Sequence, residues 1–407
     1  MSEQTFVVVG AGLAGAKAVE ALREQGFDGR LVLVGAEDHL PYERPPLSKG
    51  YLTGDSTLQD ATVHDRAWYD EHKVELRLGQ AATSLDLAGH TVTVDGEELA
   101  YDKLLLATGS SPRRLDLPGA GLGGVLALRT VEDSDRLRAA FDPAARVVFI
   151  GGGWIGLELA AAARKAGADV TVLESLDLPL VRVLGPQMAS VFADLHREHG
   201  VDLRTGVSVE EIEAAAGTGH VGAVRLADGT RIAATVVVVG IGAAPNVDLA
   251  EAAGLDVDNG VLVDAGGRSS DPDVFAAGDL ANAEHPVLGT RIRVEHWANA
   301  LNQPATVAAA MLGGDASYDN LPYFYTDQYD LGMEYVGRGG PDDDVVVRGD
   351  LDAREFLAFW LRDGKVAAGM AVNTWDVIED VKPLIASGVV VDPDRLADAR
   401  VPLTDLA

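Results

Sequence analysis

The chain of 407 residues contains no cysteine. That single absence excludes a structural disulfide, a cysteine-ligated iron–sulfur cluster, a redox-active dithiol and a catalytic thiolate from this polypeptide. Positive charge is scarce as well: 33 Lys and Arg stand against 63 Asp and Glu, a formal net charge of −30. A field of that sign repels nucleic acid and anionic membranes, so neither is expected as a partner. No apolar run approaches the roughly 20 residues of a membrane helix. No cluster of residues has metal-ligand spacing, so no metal site is expected. The sequence runs almost directly into an apolar strand at Thr5, without a signal peptide, and a cytoplasmic protein is the expectation. What remains is ordinary globular composition, 47% hydrophobic and 24% charged, at a length that suggests two or three domains.

Glycine, by contrast, is abundant and patterned. Thr5 to Ala16 reads TFVVVGAGLAGA, a β-branched run followed by Gly10-x-Gly12-x-x-Gly15. This is the signature of a buried parallel strand turning into a helix that cradles a dinucleotide. The first glycine makes the tight turn, the second lets backbone N–H groups reach a pyrophosphate, and the third lets helix and strand pack closely. Leu13 and Ala14 open the helix, whose N-terminus offers unpaired donors and a partial positive charge. The next strand, Leu31–Glu37, has Glu37 near its end, placed to hold a ribose hydroxyl.

The stretch His39–Leu52 is stiffened by Pro41, Pro45 and Pro46 and carries the cations Arg44 and Lys49; Ser48 is expected to cap a following helix. Helical segments are expected near residues 62–72 and strands near 74–78 and 90–94, with Asp95-Gly96 as a hairpin turn. Lys103–Ser110 is a buried strand ending in Ala107-Thr108-Gly109, small residues that allow backbone to pack against a nucleotide.

At Arg146 the opening pattern returns: strand, Gly151-Gly152-Gly153-Trp154-Ile155-Gly156, helix, strand, and Glu174. Two complete fingerprints predict two bound dinucleotides. A carboxylate accepts from a ribose 2′-OH and repels a 2′-phosphate; the next arginine after Glu174 is Arg182, so NADH is favoured over NADPH at the second loop. The first loop takes FAD. An amphipathic helix is expected over 186–199 and a small β-meander over 201–238. Thr235–Asn246 is a further buried strand ending in a glycine turn at Gly242. Val261–Ala281 ends in Ala276-Ala277-Gly278-Asp279, with a helix expected beyond the aspartate. Arg293–Leu312 reads as a helix with Glu295, His296 and Trp297 at its start. From Leu321 onward, aromatic and β-branched residues predict three to five antiparallel strands with an Asp363-Gly364 hairpin, then a helix over Thr374–Ala386.

With both fingerprints, ATG, GIGAAPN and AAGD in this order, the chain resembles the two-dinucleotide flavoproteins of the glutathione reductase superfamily. The segments PYERPPLSK, LRTVEDS and RVEHWANALNQ make it similar to the FAD-dependent, putidaredoxin reductase-like ferredoxin reductases of bacterial cytochrome P450 and Rieske oxygenase systems. The resemblance implies an α/β fold with two Rossmann-like domains and a C-terminal α+β domain. Residues 1–113 and 245–320 would form the FAD domain, 114–244 the NAD domain and 321–407 the last. It further implies FAD contacts at Ala14, Glu37, Lys49, Ala82, Arg129, Asp279 and Trp297. NADH contacts are implied at Gly151 to Gly156 and at Glu174. Glu158 would face the nicotinamide and pair with Lys49, which would sit near the flavin and stabilise negative charge there. The implied electron acceptor is a [2Fe-2S] ferredoxin, the chain acting as a monomer or weak homodimer.

The missing cysteine removes the disulfide reductases and thiol peroxidases of the superfamily from consideration. An NADH-dependent reductase of small acceptors, of the quinone or monodehydroascorbate type, remains open. So does a non-catalytic, NADH-sensing binding protein of the apoptosis-inducing-factor type.

Overall fold

The computed structural model describes residues 4–406, which pack as two compact units. The first comprises the chain up to Arg44, Thr57–Ser111 and Ala243–Pro322; the second comprises Pro45–Ser56, Pro112–Gly242 and the chain from Tyr323 onward.

The first unit is built on a five-stranded parallel sheet in the order Val274–Ala276, Lys103–Leu106, Thr5–Val9, Arg30–Val34, Val74–Arg77. Apart from the edge strand Val74–Arg77, these strands are near-continuous apolar runs because both faces are covered. Phe6, Val8, Leu31, Leu33 and Leu105 meet the helices Leu13–Glu24 and Trp297–Met311 on one face. Val7, Val32, Leu104 and Leu106 meet the small antiparallel sheet Ala82–Asp86, Thr91–Val94, Glu97–Ala100 on the other. The Asp95-Gly96 turn forms as expected, both residues having positive φ (49° and 82°).

The second unit repeats the architecture: Asp202–Arg204, Asp169–Leu173, Arg146–Ile150, Val236–Val239 and Val125–Leu126 form a parallel sheet. Its C-terminal part is a five-stranded antiparallel sheet, Tyr323–Gln328, Leu331–Gly337, Lys365–Val372, Glu355–Arg362, Asp344–Asp350. The two sheets share one core. Leu184, Met188 and Phe192 of the helix Val181–Glu198 are buried with Met333, Tyr335 and Trp360, and the Trp360 indole N–H donates to the Leu184 carbonyl at 3.2 Å. Asp363-Gly364 turns a hairpin at φ 52° and 75°.

Four local expectations are corrected. Of the helical segments expected near 62–72 only Arg66–Glu71 lies there, and a second short helix, Leu58–Ala61, comes before it. The 201–238 segment is not one meander, since Asp202–Arg204 and Val236–Val239 join the parallel sheet. Beyond Asp279 there is a single 3-10 turn, Gly278–Leu280, and then a strand, Ala281–His285. That strand pairs with Val261–Val263 and Thr290–Arg293, so Arg293 lies in a strand and the helix begins at Trp297. Strand pairing between distant segments outweighs the local helix-start signal here.

Candidate functional site

The first glycine loop has the turn and the close packing that its spacing predicts, with open space at its middle glycine. Gly10 has φ +118°, and a Cβ there would stand 2.1 Å from the Ala107 carbonyl oxygen. A Cβ on Gly15 would stand 1.9 Å from the Gly10 carbonyl oxygen. A Cβ on Gly12 would meet nothing within 4 Å. Gly12 is also the N-cap of the helix that starts at Leu13, with no side chain capping it and no acid in its first turn. The start of that helix is thus open beside Gly12 and uncapped by any side chain, which is what an anion such as pyrophosphate requires. Ala14 lies 3.0 Å from where a Cβ on Gly278 would stand. Ala107, Thr108 and Gly109 follow the neighbouring strand, and Asn246 ties this turn down, donating to the Thr108 carbonyl at 2.7 Å and accepting from Thr108 Oγ1 through its own carbonyl at 2.9 Å.

Glu37 lies just past the Arg30–Val34 strand. One of its carboxylate oxygens holds Arg44 Nη2 at 2.7 Å and the other accepts from the Tyr42 hydroxyl. Burial works to lower the Arg44 guanidinium, but Tyr42, Glu37 and Asp279 together outweigh it and leave it raised. Asp279 accepts from Ser110 Oγ at 2.7 Å. Arg293 links its backbone carbonyl (3.1 Å) to the Glu295 carboxylate (2.5 Å). His296 caps the helix Trp297–Met311 at its N-terminus, and burial lowers its pKa to about 4, against the pull of Asp279. Ala82 opens an edge strand of the small antiparallel sheet, opposite Val94. These residues all belong to the first unit. Lys49 and Arg129, expected with them, belong to the second. Arg129 immediately precedes Thr130, which caps the helix Val131–Ala140.

The second loop repeats the first. Gly151 has φ +101°, a Cβ on Gly156 would stand 2.7 Å from the Gly151 carbonyl oxygen, and Gly153 has only the Gly240 carbonyl oxygen, at 3.7 Å. The helix Trp154–Lys165 likewise starts without a side-chain cap or a first-turn acid. Ile155, in its first turn, and Ile241 are exposed, at 52% and 38%. Gly242 turns the chain at the end of the Val236–Val239 strand and accepts from the Arg113 N–H at 2.9 Å. Trp154 packs against Phe192 and Phe324 at centroid distances of 5.3 and 5.0 Å. Glu174 accepts from the Gly152 N–H at 2.8 Å and the Leu176 N–H at 2.9 Å, so backbone donors fix the carboxylate beside the loop.

One turn into the same helix, Glu158 is buried at 7% exposure and forms an ion pair with Lys49, Nζ to Oε1 at 2.5 Å. Ser48 Oγ donates to Oε2 at 2.6 Å and Thr326 Oγ1 to Oε1 at 2.5 Å. Lys49 also stands 5.5 Å from the Tyr325 ring centroid, a cation–π contact. A buried carboxylate is tolerated only with this degree of satisfaction, because an unpaired one costs several kcal/mol. Ser48 thus serves Glu158 rather than capping a helix; the helix Gly50–Thr53 has Lys49 at its cap. Ser48 and Thr326 were invisible as site residues in the sequence, since 110 and 168 positions separate them from Glu158.

Similarity to known proteins follows the same outline. Residues 4–304 match the family model described as pyridine nucleotide-disulphide oxidoreductase, and residues 323–407 match the reductase C-terminal model. The anthranilate 1,2-dioxygenase system ferredoxin–NAD(+) reductase component of Burkholderia cepacia is 45% identical over 408 residues, covering 99% of each chain. Putidaredoxin reductase of Pseudomonas putida is 38% identical, covering 100% of this chain and 97% of its own. The crystal structure of the covalent putidaredoxin reductase–putidaredoxin complex superposes with a TM-score of 0.95 at 38% identity, over 99% of this chain and 97% of the matched one. Fold, loops and sequence agree: the chain belongs to the pyridine nucleotide-disulphide oxidoreductase family of FAD- and NAD(P)H-dependent enzymes, in the branch that ends in the reductase C-terminal domain.

Proposed function

We propose that this protein is an NADH:ferredoxin reductase that passes electrons through FAD to a [2Fe-2S] ferredoxin serving a cytochrome P450 or Rieske oxygenase. The observation that carries the reading is the combination of two dinucleotide loops with a chain that has no cysteine. Reducing equivalents taken from a nicotinamide have no dithiol to go to within this polypeptide, so they leave to an external acceptor. Full-length similarity to ferredoxin reductase components supports ferredoxin as that acceptor.

In this reading residues 1–113 and 245–320 hold FAD, 114–244 hold NADH, and 321–407 form the C-terminal α+β domain. The loop Gly10–Gly15 takes the FAD pyrophosphate, Glu37 its adenosine ribose, and Ala107–Gly109 with Gly278 and Asp279 the remaining backbone contacts. Gly151–Gly156 take the NADH pyrophosphate. Glu174, already fixed by two backbone donors, accepts from the ribose 2′-OH and disfavours a 2′-phosphate. Bound FAD supplies a two-electron acceptor that releases electrons singly.

Lys49 and Glu158 are the candidate catalytic residues. Glu158 orients the lysine and would contact the nicotinamide. The ammonium of Lys49 places a fixed positive charge where negative charge develops, and in a buried site such a charge needs no reorganisation. Lys49→Met, examined by anaerobic stopped flow, is expected to slow flavin reduction by NADH about 100-fold while FAD stays bound. An unchanged rate would remove Lys49 from the mechanism.

A further inference from the structure

Behind Glu158 lies a buried polar chain that the assigned site does not use. Thr326 Oγ1, which donates to Glu158, lies 3.2 Å from Gln328 Nε2. Gln328 Oε1 lies 2.9 Å from His196 Nε2, and His196 Nδ1 lies 3.4 Å from the Tyr329 hydroxyl. Thr326, Gln328 and His196 are among the few polar side chains buried to 1% exposure or less.

The chemistry of each group fixes the direction of the whole. A carboxylate paired with a lysine only accepts, so the Thr326 proton points to Glu158 and the threonine lone pairs accept from the Gln328 amide. The carbonyl of that amide then faces His196, which requires the proton on Nε2. Nδ1 is left as the acceptor for Tyr329. Every donor along Tyr329, His196, Gln328 and Thr326 is therefore aimed towards Glu158, an arrangement in which each bond polarises the next. Burial of His196 fits this, since it favours the neutral ring that the direction demands.

The backbone supplies a second, independent observation. Tyr329 and Asp330 form the two-residue turn between the strands Tyr323–Gln328 and Leu331–Gly337, and Tyr329 has φ +59°. A hairpin of this length usually places glycine or asparagine at such a position, and a bulky residue there is strained. The strain is retained where the side chain has a task. Here its ring stacks on His199 at 3.7 Å and its hydroxyl closes the chain at His196.

We infer that His196, acting through Gln328 and Thr326, is a positioning residue that fixes the Glu158 carboxylate in the orientation that holds Lys49. This rests on the proposed role of Glu158 in the reaction with NADH. The helix Val181–Glu198 and the C-terminal sheet thereby contribute to the chemistry without touching a reacting atom.

The test uses FAD-loaded protein labelled with ¹⁵N-histidine. The His196 ring is expected as the Nε2–H tautomer, and Glu158→Gln, three links away, is expected to shift its Nε2–H resonance. In anaerobic stopped flow, His196→Phe is expected to slow flavin reduction at saturating NADH roughly tenfold, with half-saturation by NADH changed less than about twofold. His196→Gln keeps a donor near the Nε2 position and should recover most of that loss. If His196→Phe impairs folding, Gln328→Met removes the same link with little change of volume. A His196 ring blind to Glu158→Gln overturns the proposal. So does a folded, FAD-loaded His196→Phe or Gln328→Met protein reduced at the normal rate while Glu158→Gln is slow. A coupled ring together with a normal rate for Glu158→Gln would leave the positioning chain standing and refute the role given to Glu158.

Discussion

The two glycine loops share a backbone and differ in how the acid beyond them is held. Glu37 is neutralised by side chains, the Arg44 guanidinium and the Tyr42 hydroxyl. Glu174 is held by the main-chain N–H groups of Gly152 and Leu176 with the Ser175 hydroxyl at 3.2 Å, all uncharged donors, and among the described residues no cation pairs with it. An acid clamped by a cation tolerates a highly charged neighbour, whereas one clamped by neutral amides keeps its full negative charge towards the ligand. In the proposed reading the first arrangement serves FAD and the second selects NADH by the absence of a 2′-phosphate.

The comparison can be broken most sharply at the third glycines. Gly15→Ala places a methyl group 1.9 Å from the Gly10 carbonyl and Gly156→Ala one 2.7 Å from the Gly151 carbonyl. Urea unfolding should show the first variant losing roughly 3 kcal/mol or more and the second clearly less. Gly12→Ala meets no atom of the chain, so it should fold normally and purify depleted of FAD. Normal FAD content in Gly12→Ala would remove the pyrophosphate from that loop.

Acid should expose each unit through one buried histidine. Burial lowers His196, and likewise His296, to about 4, with Gln328 and Asp279 respectively opposing the shift. The folded forms are neutral while the unfolded chain takes up protons from about pH 6.5 downward. Stability is thus level above pH 6.5 and falls as the pH drops towards 4, by about 3 kcal/mol for His196. Urea midpoints at pH 7.5 and 5 measure this, and His196→Gln should flatten the decline.

At the acids, Glu174→Ala removes a charge-assisted acceptor worth about 2 kcal/mol and should raise the NADPH-to-NADH ratio of kcat/KM tenfold or more. The smallest effect is expected for Tyr42→Phe. It leaves the Arg44–Glu37 pair in place and costs one hydrogen bond of about 1 kcal/mol, read as a severalfold weaker hold on FAD.

Features encoded within a few residues were legible in the sequence. Both loops, the Asp95-Gly96 and Asp363-Gly364 turns, and the helix that restarts at Pro186 after the non-helical Gly185 all follow from local backbone chemistry. What the sequence hid was long-range pairing. The Gly278-Asp279 junction carries a helix-start pattern, yet Ala281–His285 is drawn into a strand by Val261–Val263 and Thr290–Arg293. Ser48, Thr326, Gln328 and His196 carry no motif of their own. They become site residues only because folding gathers them behind Glu158.

The central claim is electron transfer from NADH to a ferredoxin, and NADH-driven cytochrome c reduction with and without a [2Fe-2S] ferredoxin tests it most directly. The account predicts a large ferredoxin-dependent rate with NADH and a much smaller one with NADPH. Rapid flavin bleaching by NADH with no stimulation by any ferredoxin would contradict it and point to a small-molecule acceptor.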